Sequence, residues 1–336
     1  MKPSHEASQA QGQPSLTHAH VYLLITMFFF GTAFTSSKVV VEQMPHQVAA
    51  AFRFGGGAVI LLVILAITRR ASGEHTPFSW REVVLAGSVG LVGVFGYNLF
   101  FFWGLSLAPS VDGTILVPVL SPVLTVTILL LTRQETASVS RLVGLALGLV
   151  GAAVFFVGAD DGTGLSGSRL TGDFVYLIGS GCWAVYSIAS KKLLGGMNHL
   201  RATTYGTCVG ALALVLLAAP SASSVQWGDV SGSIWLNIAY LAVGPTAIAY
   251  IFYYRGLDSV SPSTATMLMF TVPVFGVSSS VLFLGESFTP VQDIGTAVLL
   301  VGAIFAVSGG RFLRRRQPAA APAETTAADD RTAVSR

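Results

Sequence analysis

Over most of this chain the apolar residues neither alternate nor recur at the spacing of one helix face. They run almost unbroken for about twenty residues at a time and stop at short polar gaps. That is the length an α-helix needs to cross the hydrocarbon of a bilayer. The pattern predicts transmembrane helices at 21–41, 47–68, 83–102, 113–132, 142–158, 173–193, 202–220, 233–254, 262–284 and 292–310. Most are apolar all round, as expected of helices that face lipid or other helices. Membrane barrel strands would show about ten residues of alternation, which these runs lack. The fold class expected is therefore all-α integral membrane, with ten transmembrane helices.

Composition agrees and narrows the choice. Hydrophobic residues make up 52% of the chain and charged residues only 10%, against roughly 25% charged in soluble domains. The net charge of +3 does not point to nucleic acid, because the basic residues are scattered through the gaps rather than gathered on one patch. Their distribution instead sets an orientation. With ten spans, alternate gaps share a side. One set holds Arg69, Arg70, Arg81, Arg133, Arg141, Lys191, Lys192, Arg201 and Arg255, together with Lys2 and the arginines after residue 310. The other set holds Arg169 and the acidic residues Glu42, Asp160, Asp161, Asp173, Asp229, Glu286 and Asp293. Positive gaps mark the cytoplasmic side, so a multi-pass protein of the plasma or inner membrane with both termini cytoplasmic is expected. Residues 1–20 read as a polar tail, and 311–336 as a basic tail too poor in apolar residues to fold.

The chain also repeats itself at a spacing near 151 residues. Pro122 matches Pro273, Glu135 matches Glu286, Gly144 matches Gly295 and Gly151 matches Gly302. Phe30-Gly31 corresponds to Trp183-Ala184, and Ser37-Lys38 to Ser190-Lys191. The units are 21–158 and 172–310, joined by an outer linker at 159–171. Each holds five spans, an odd number, so the second must lie upside down relative to the first. Inverted repeats of this kind build transporters, whose halves rock around a midplane site.

The doubled pattern resembles the EamA family of the drug/metabolite transporter superfamily. Phe30-Gly31-Thr32-Ala33-Phe34, Pro45 leading to Arg53, Pro118 with Pro122, and Gly285-Glu286-Ser287 leading to Gly295 carry the resemblance. So does the stretch from Gly172-Asp173 through Trp183 to Ser190-Lys191-Lys192. One departure is Thr132-Arg133-Gln134-Glu135, where the family often has a glycine before the glutamate. The resemblance covers residues 20–310. It implies two five-helix units around a central cavity, with the fifth and tenth helices outside it. It also implies traffic in amino acids, other small metabolites or drugs, commonly outward.

Several side chains stand out as candidates. A membrane-embedded Arg is expensive, from roughly 2.5 to above 10 kcal/mol by different methods. Arg53, two turns into the second span, either faces the cavity and meets an anionic substrate group, or pairs with Glu42 or Asp112, or snorkels outward. Ser37, Tyr97, Asn98, Trp183, Tyr186, Ser187 and Tyr250 are the other substrate-binding candidates, each also suited to helix-to-helix contact. Pro118, Pro122 and Pro273 are candidate hinges, since an internal proline frees a backbone carbonyl. Glycines at 87, 90, 93 and 96, and at 144, 148 and 151, suit close helix packing and would also suit a homodimer contact. All sixteen carboxylates fall in tails, gaps or the last turn of a span, so no buried acid is expected to relay protons at mid-membrane.

No metal or cofactor is expected, because the histidines lie outside the spans and Cys182 and Cys208 are isolated. The chain lacks H-E-x-x-H, G-x-S-x-G and a phosphate loop. The expected partners are the lipid bilayer and a small-molecule substrate. A secondary transporter is the reading these features favour, with a channel as the alternative and a membrane enzyme last.

Overall fold

The computed structural model describes residues 16–73, 79–134, 138–158, 167–194, 196–257 and 268–308. Among them the regular structure is helical and no strand occurs. The first unit contains α1 (Leu16–Val41), α2 (His46–Ser72), α3, α4 (Ser110–Leu131) and α5 (Val139–Gly158). Here α3 is one rod made of Trp80–Gly90, Leu91–Gly96 and Tyr97–Leu107. The second contains α6 (Gly167–Leu193), α7 (His199–Ala222), α8, α9 (Val272–Leu284) and α10 (Pro290–Ser308). Likewise α8 joins Gly232–Leu241, Ala242–Ile248 and Ala249–Leu257. Among the described residues six helices are long and apolar enough to cross a membrane, and Leu142–Gly158, Val272–Leu284 and Pro290–Phe305 are shorter apolar helices. Large apolar side chains such as Ile67, Leu149, Leu216 and Leu282 stand more than half exposed. Water would not tolerate such a belt; lipid does.

Hydrogen bonds between helix ends fix how the two units lie. Lys38, near the end of α1, donates to the carbonyls of Leu105 and Ala108 at 2.9 and 3.2 Å, where α3 finishes. A cation there satisfies carbonyls the helix leaves unpaired, so Lys38 does more than reach for solvent. Ser168, at the start of α6, donates to Leu107 O at 3.2 Å. Thus α1 ends where α6 begins, and the two repeats run in opposite directions. Thr289, just before α10, donates to Gly158 O at the close of α5 at 2.7 Å. The packing partners obey the same twofold relation: α3 lies on α6 as α8 lies on α1, α4 on α6 as α9 on α1, and α3 on α7 as α8 on α2.

Small residues let these rods approach. A Cβ added at Gly158 would stand 2.7 Å from the Gln292 backbone nitrogen, and one at Gly302 would stand 2.8 Å from Gly144 O. Gly151 faces the Leu299 backbone just as closely. The glycines of α5 are therefore spent on α10. Those of α3 are spent on α7 and α6, where Gly90 meets the backbone of Gly206 and Gly93 meets the ring of Tyr186.

Three expectations about elements need correction. First, α6 starts at Gly167, inside the stretch expected to be linker, because Gly-Ser-Arg-Leu-Thr-Gly is polar in sequence yet sits as a helical turn against α3 and α4. Second, the expected span 262–284 is interrupted: Leu268 and Met269 are helical, Phe270 and Thr271 form a turn, and α9 begins at Val272. Pro273 therefore lies in the first turn of α9, where a missing N–H costs nothing, whereas Pro118 and Pro122 lie inside α4. Third, α1 begins at Leu16, within the expected tail. Glu135, Pro262 and the tail 311–336 lie outside the described residues.

Candidate functional site

A chamber lies between the two units. It is lined by Phe30, Ala33 and Phe34 of α1, Arg53 of α2, Tyr97, Asn98 and Phe101 of α3, Val117, Pro118 and Ser121 of α4, Trp183 of α6 and Tyr250 of α8. Met269 and Val272 complete the wall. Its free volume is small, about 50 Å³, enough for a few waters but less than a metabolite needs. The aromatic side chains close on one another. Trp183 meets Phe30 at 6.5 Å and Tyr97 at 5.0 Å between ring centroids, and Phe34 meets Phe101 at 4.8 Å.

Among the described residues Arg53 is the one cation in this wall, and only 6% of it is exposed. Its Nε donates to Thr246 Oγ1 at 3.4 Å. Its guanidinium lies 4.9, 5.6 and 5.8 Å from the ring centroids of Phe54, Phe101 and Phe102, an electrostatically favourable setting for a cation. Neither carboxylate weighed as its partner takes that part. Asp112 is held by Arg169, through Nε at 2.7 Å and Nη2 at 2.9 Å. Glu42 stands 3.9 Å from Lys38. Among the described residues Arg53 has no carboxylate partner.

Asn98 owes its orientation to a local winding change. Leu91–Gly96 is a π-helical turn within α3, and Ala242–Ile248 is its counterpart, 151 residues on, within α8. Such a turn displaces carbonyls from the regular ladder, and such turns often mark functional sites. In α3 the Asn98 amide nitrogen donates to Val94 O at 2.9 Å and Gly93 O at 3.4 Å. Because both neighbours are acceptors, nitrogen must face them, which turns Oδ1 away. That oxygen is buried and has no hydrogen-bond partner. In α8 Pro245 cannot donate to Leu241 O, and the Thr246 hydroxyl takes that carbonyl at 2.9 Å. Each π turn also seats an aromatic ring of the opposite unit on a glycine: Tyr186 on Gly93, and Phe29 on Gly244.

One end of the chamber is sealed in layers. Beyond the Phe34–Phe101 pair, Thr35 Oγ1 lies 2.6 Å from Ser279 Oγ and 3.1 Å from Ser280 Oγ. Ser280 meets Ser110 at 2.8 Å. Ser110 N and Oγ donate to Glu286 at 2.9 and 2.8 Å, and Val111 N adds a third bond at 2.8 Å. Glu286 thus caps the N-terminus of α4, where a helix presents unpaired N–H groups and a positive dipole end. Beside it Gln292 donates to Asp112 Oδ1 at 3.1 Å, tying the Asp112–Arg169 pair to α10.

Of the candidates read from sequence, Arg53, Tyr97, Asn98, Trp183, Tyr250 and Pro118 meet in the chamber. Tyr186 packs behind Trp183 at 5.3 Å and lines a neighbouring hollow. Ser187 bonds back to Trp183 O at 2.8 Å, Ser37 is buried outside the chamber, and neither joins the wall. Pro122 is buried within α4, one turn from Pro118. Phe101 and Thr246 carry no signal in the sequence, and Phe30 and Phe34 stand there as motif residues rather than as candidates for the wall. The repeat match of Phe30 to Trp183 carried the signal for one of them. The expectation that no carboxylate is buried fails: Asp112 and Asp173 are both 0% exposed. Asp173 lies in the second turn of α6, with Asp112 and Arg169 as its charged neighbours. A buried carboxylate is thus present, which removes the ground for excluding an acidic relay.

Comparison with known proteins decides the family. The EamA-like transporter family matches residues 17–157 and 170–308, one copy on each repeat. The chain belongs to the EamA family. This EamA protein is 24% identical to the transporter YyaM of Bacillus subtilis (strain 168) over 293 residues, 87% of its own length and 94% of the relative's. Over 188 residues, 55% of the chain and 62% of the relative, it is 29% identical to the aromatic amino acid exporter YddG of Ancylobacter novellus. Over 157 residues, 46% of the chain and 50% of the relative, it is 31% identical to the threonine/homoserine exporter RhtA of Escherichia coli (strain K12). A crystallised chain shares the fold, with a TM-score of 0.61 and 21% identity over 90% of this EamA protein and 99% of that chain. It is therefore a multi-pass membrane protein of a transporter family.

Proposed function

We propose that this EamA protein is a secondary transporter that exports a zwitterionic amino acid with an apolar or aromatic side chain, by alternating access across the cell membrane. Ten helices cross the bilayer in this reading, with both termini cytoplasmic, so the end sealed by Glu286 is the outer one.

The observation that carries the substrate class is the pairing of Arg53 with Asn98. The first offers donors and a positive charge with no carboxylate to neutralise it. The second offers a buried acceptor oxygen with no donor. An α-carboxylate and an α-ammonium supply what each lacks, and the aromatic wall takes the side chain. Both named amino acid exporters among the relatives support the zwitterion, and the aromatic amino acid exporter YddG alone of the two supports the aromatic side chain. A channel reading fits less well, because the Glu286 end is closed by an aromatic pair and a chain of hydrogen bonds rather than by a pore.

Loading the purified protein into proteoliposomes against a panel of amino acids and their deaminated analogues tests this. Saturable flux is expected for apolar and aromatic zwitterions. Arg53→Ala should lose about 2 kcal/mol of substrate binding, near thirtyfold in KM. If that variant folds and transports every substrate at the parent's KM, Arg53 does not bind the carboxylate.

A further inference from the structure

A second hollow, of about 520 Å³, opens away from the chamber. It lies between the C-terminal half of α2, the start of α7 and the last turns of α8. Its residues are sorted along the helix axes. On α2, Ile64 and Leu65 precede Thr68 and Arg69; on α8, Ile248, Ile251 and Phe252 precede Arg255. At 1.5 Å per residue, Ile248 and Arg255 are about 10 Å apart along the axis. The start of α7 closes the polar end with Asn198, His199 and Arg201. None of the described lining residues is acidic; Glu82, outside the described lining, stands 3.7 Å from Arg201 Nη1. The hollow is thus apolar at the depth of the bilayer and cationic where the helices leave it.

Excess cytoplasmic charge alone would not gather arginines from three helices around one hollow. Here three of them converge on a cavity ten times the volume of the central chamber. The internal repeat does not call for it either, since the residue 151 positions after Arg69 is Pro220, and the one 151 before Arg255 is Gly104. A zwitterion has no acceptor for its ammonium among the basic groups, and a free phosphate has no use for the apolar half. An anionic phospholipid fits both halves, with its phosphodiester among the arginines and an acyl chain along Ile64, Ile251 and Phe252. Basic pockets between helices on the cytoplasmic side are suited to acidic headgroups. We infer that this crevice between α2, α7 and α8 is a binding site for an anionic phospholipid of the cytoplasmic leaflet.

The inference rests on the membrane-crossing orientation proposed above but not on the substrate. The test is native mass spectrometry of the purified full chain, titrated with phosphatidylglycerol or phosphatidylcholine. Retention of one phosphatidylglycerol is expected, with a preference of at least tenfold over phosphatidylcholine. Arg255→Gln, an exposed side chain in the last turn of α8, should cut that preference by about fivefold, and Arg69→Gln with Arg255→Gln should abolish it. Equal retention of the two lipids, an unchanged preference in either variant, or displacement of the lipid by millimolar inorganic phosphate would overturn the assignment. Amino acid flux, measured on the same protein in phosphatidylglycerol vesicles, reports separately on the transport reading.

Discussion

Arg53 concentrates the cost and the use of this site in one side chain. A guanidinium at membrane depth is costly unless something offsets it, and here three phenylalanine rings and one hydroxyl do so without neutralising its charge. In the proposed function the remaining attraction falls to the substrate carboxylate. Sequence marked Arg53 because an isolated charge in an apolar run is visible on inspection. It also marked Asn98, but not which of its atoms would face the chamber, since that depends on two carbonyls released by a π turn. Glu286 shows the same limit: its place in an outer gap and its match to Glu135 mark it in the sequence, but not the three hydrogen bonds it accepts, which hold α9 to α4. Glu286→Ala should therefore lower stability by roughly 2–3 kcal/mol, read as a fall in thermal melting temperature. It should also admit an impermeant maleimide to a cysteine at position 280, whose native serine is fully buried. A melting temperature and labelling rate equal to the parent's would show that the latch is not holding this end.

At the scale of the helices, packing rather than hydrophobicity decides geometry, because lipid gives no drive for apolar helices to prefer each other. The α5–α10 pair shows this most directly, with glycines of each helix against the other's backbone. An added methyl at Gly151 meets the Leu299 backbone, which cannot rotate aside, while one at Gly181 meets nothing within 4 Å. Gly151→Ala should destabilise by about 1–3 kcal/mol, and Gly181→Ala should be neutral or slightly stabilising. Thermal unfolding of the two variants in one detergent checks the contrast. The existence of these helices was legible from hydropathy, and the glycine spacing foretold close approach. Their ends were less so. The first turns of α6 are too polar to read as membrane helix and form one through contacts with α3 and α4. The π turns were not legible as such: Pro245 announces a break in the ladder of α8 but not its form, and nothing in Leu-Val-Gly-Val-Phe-Gly distinguishes the turn of α3 from ordinary α-helix.

In the whole molecule, the repeat is what turns a bundle into a device. The two units pack by a twofold relation, each contributes a π turn, and Phe30 and Trp183, which match across the repeat, face each other over the chamber. A few spaced glycines, prolines and glutamates sufficed to reveal this in the sequence, because duplication preserves order even where composition is uniformly apolar. The asymmetry between the ends could not be read there. It lies in the hydrogen-bond chain from Thr35 to Glu286, whose serines are unremarkable one by one. A chamber closed at one end by such a chain, and too small for a metabolite as it stands, must rearrange to carry one.

Ala33 lines that chamber and is 2% exposed, so a cysteine there, with Cys182 and Cys208 replaced by serine, reports on access to the site. An impermeant thiol reagent is expected to reach it from either side of the membrane in turn, and substrate to protect it from both. Labelling from one side only, at undiminished transport, would contradict alternating access around the Arg53 chamber.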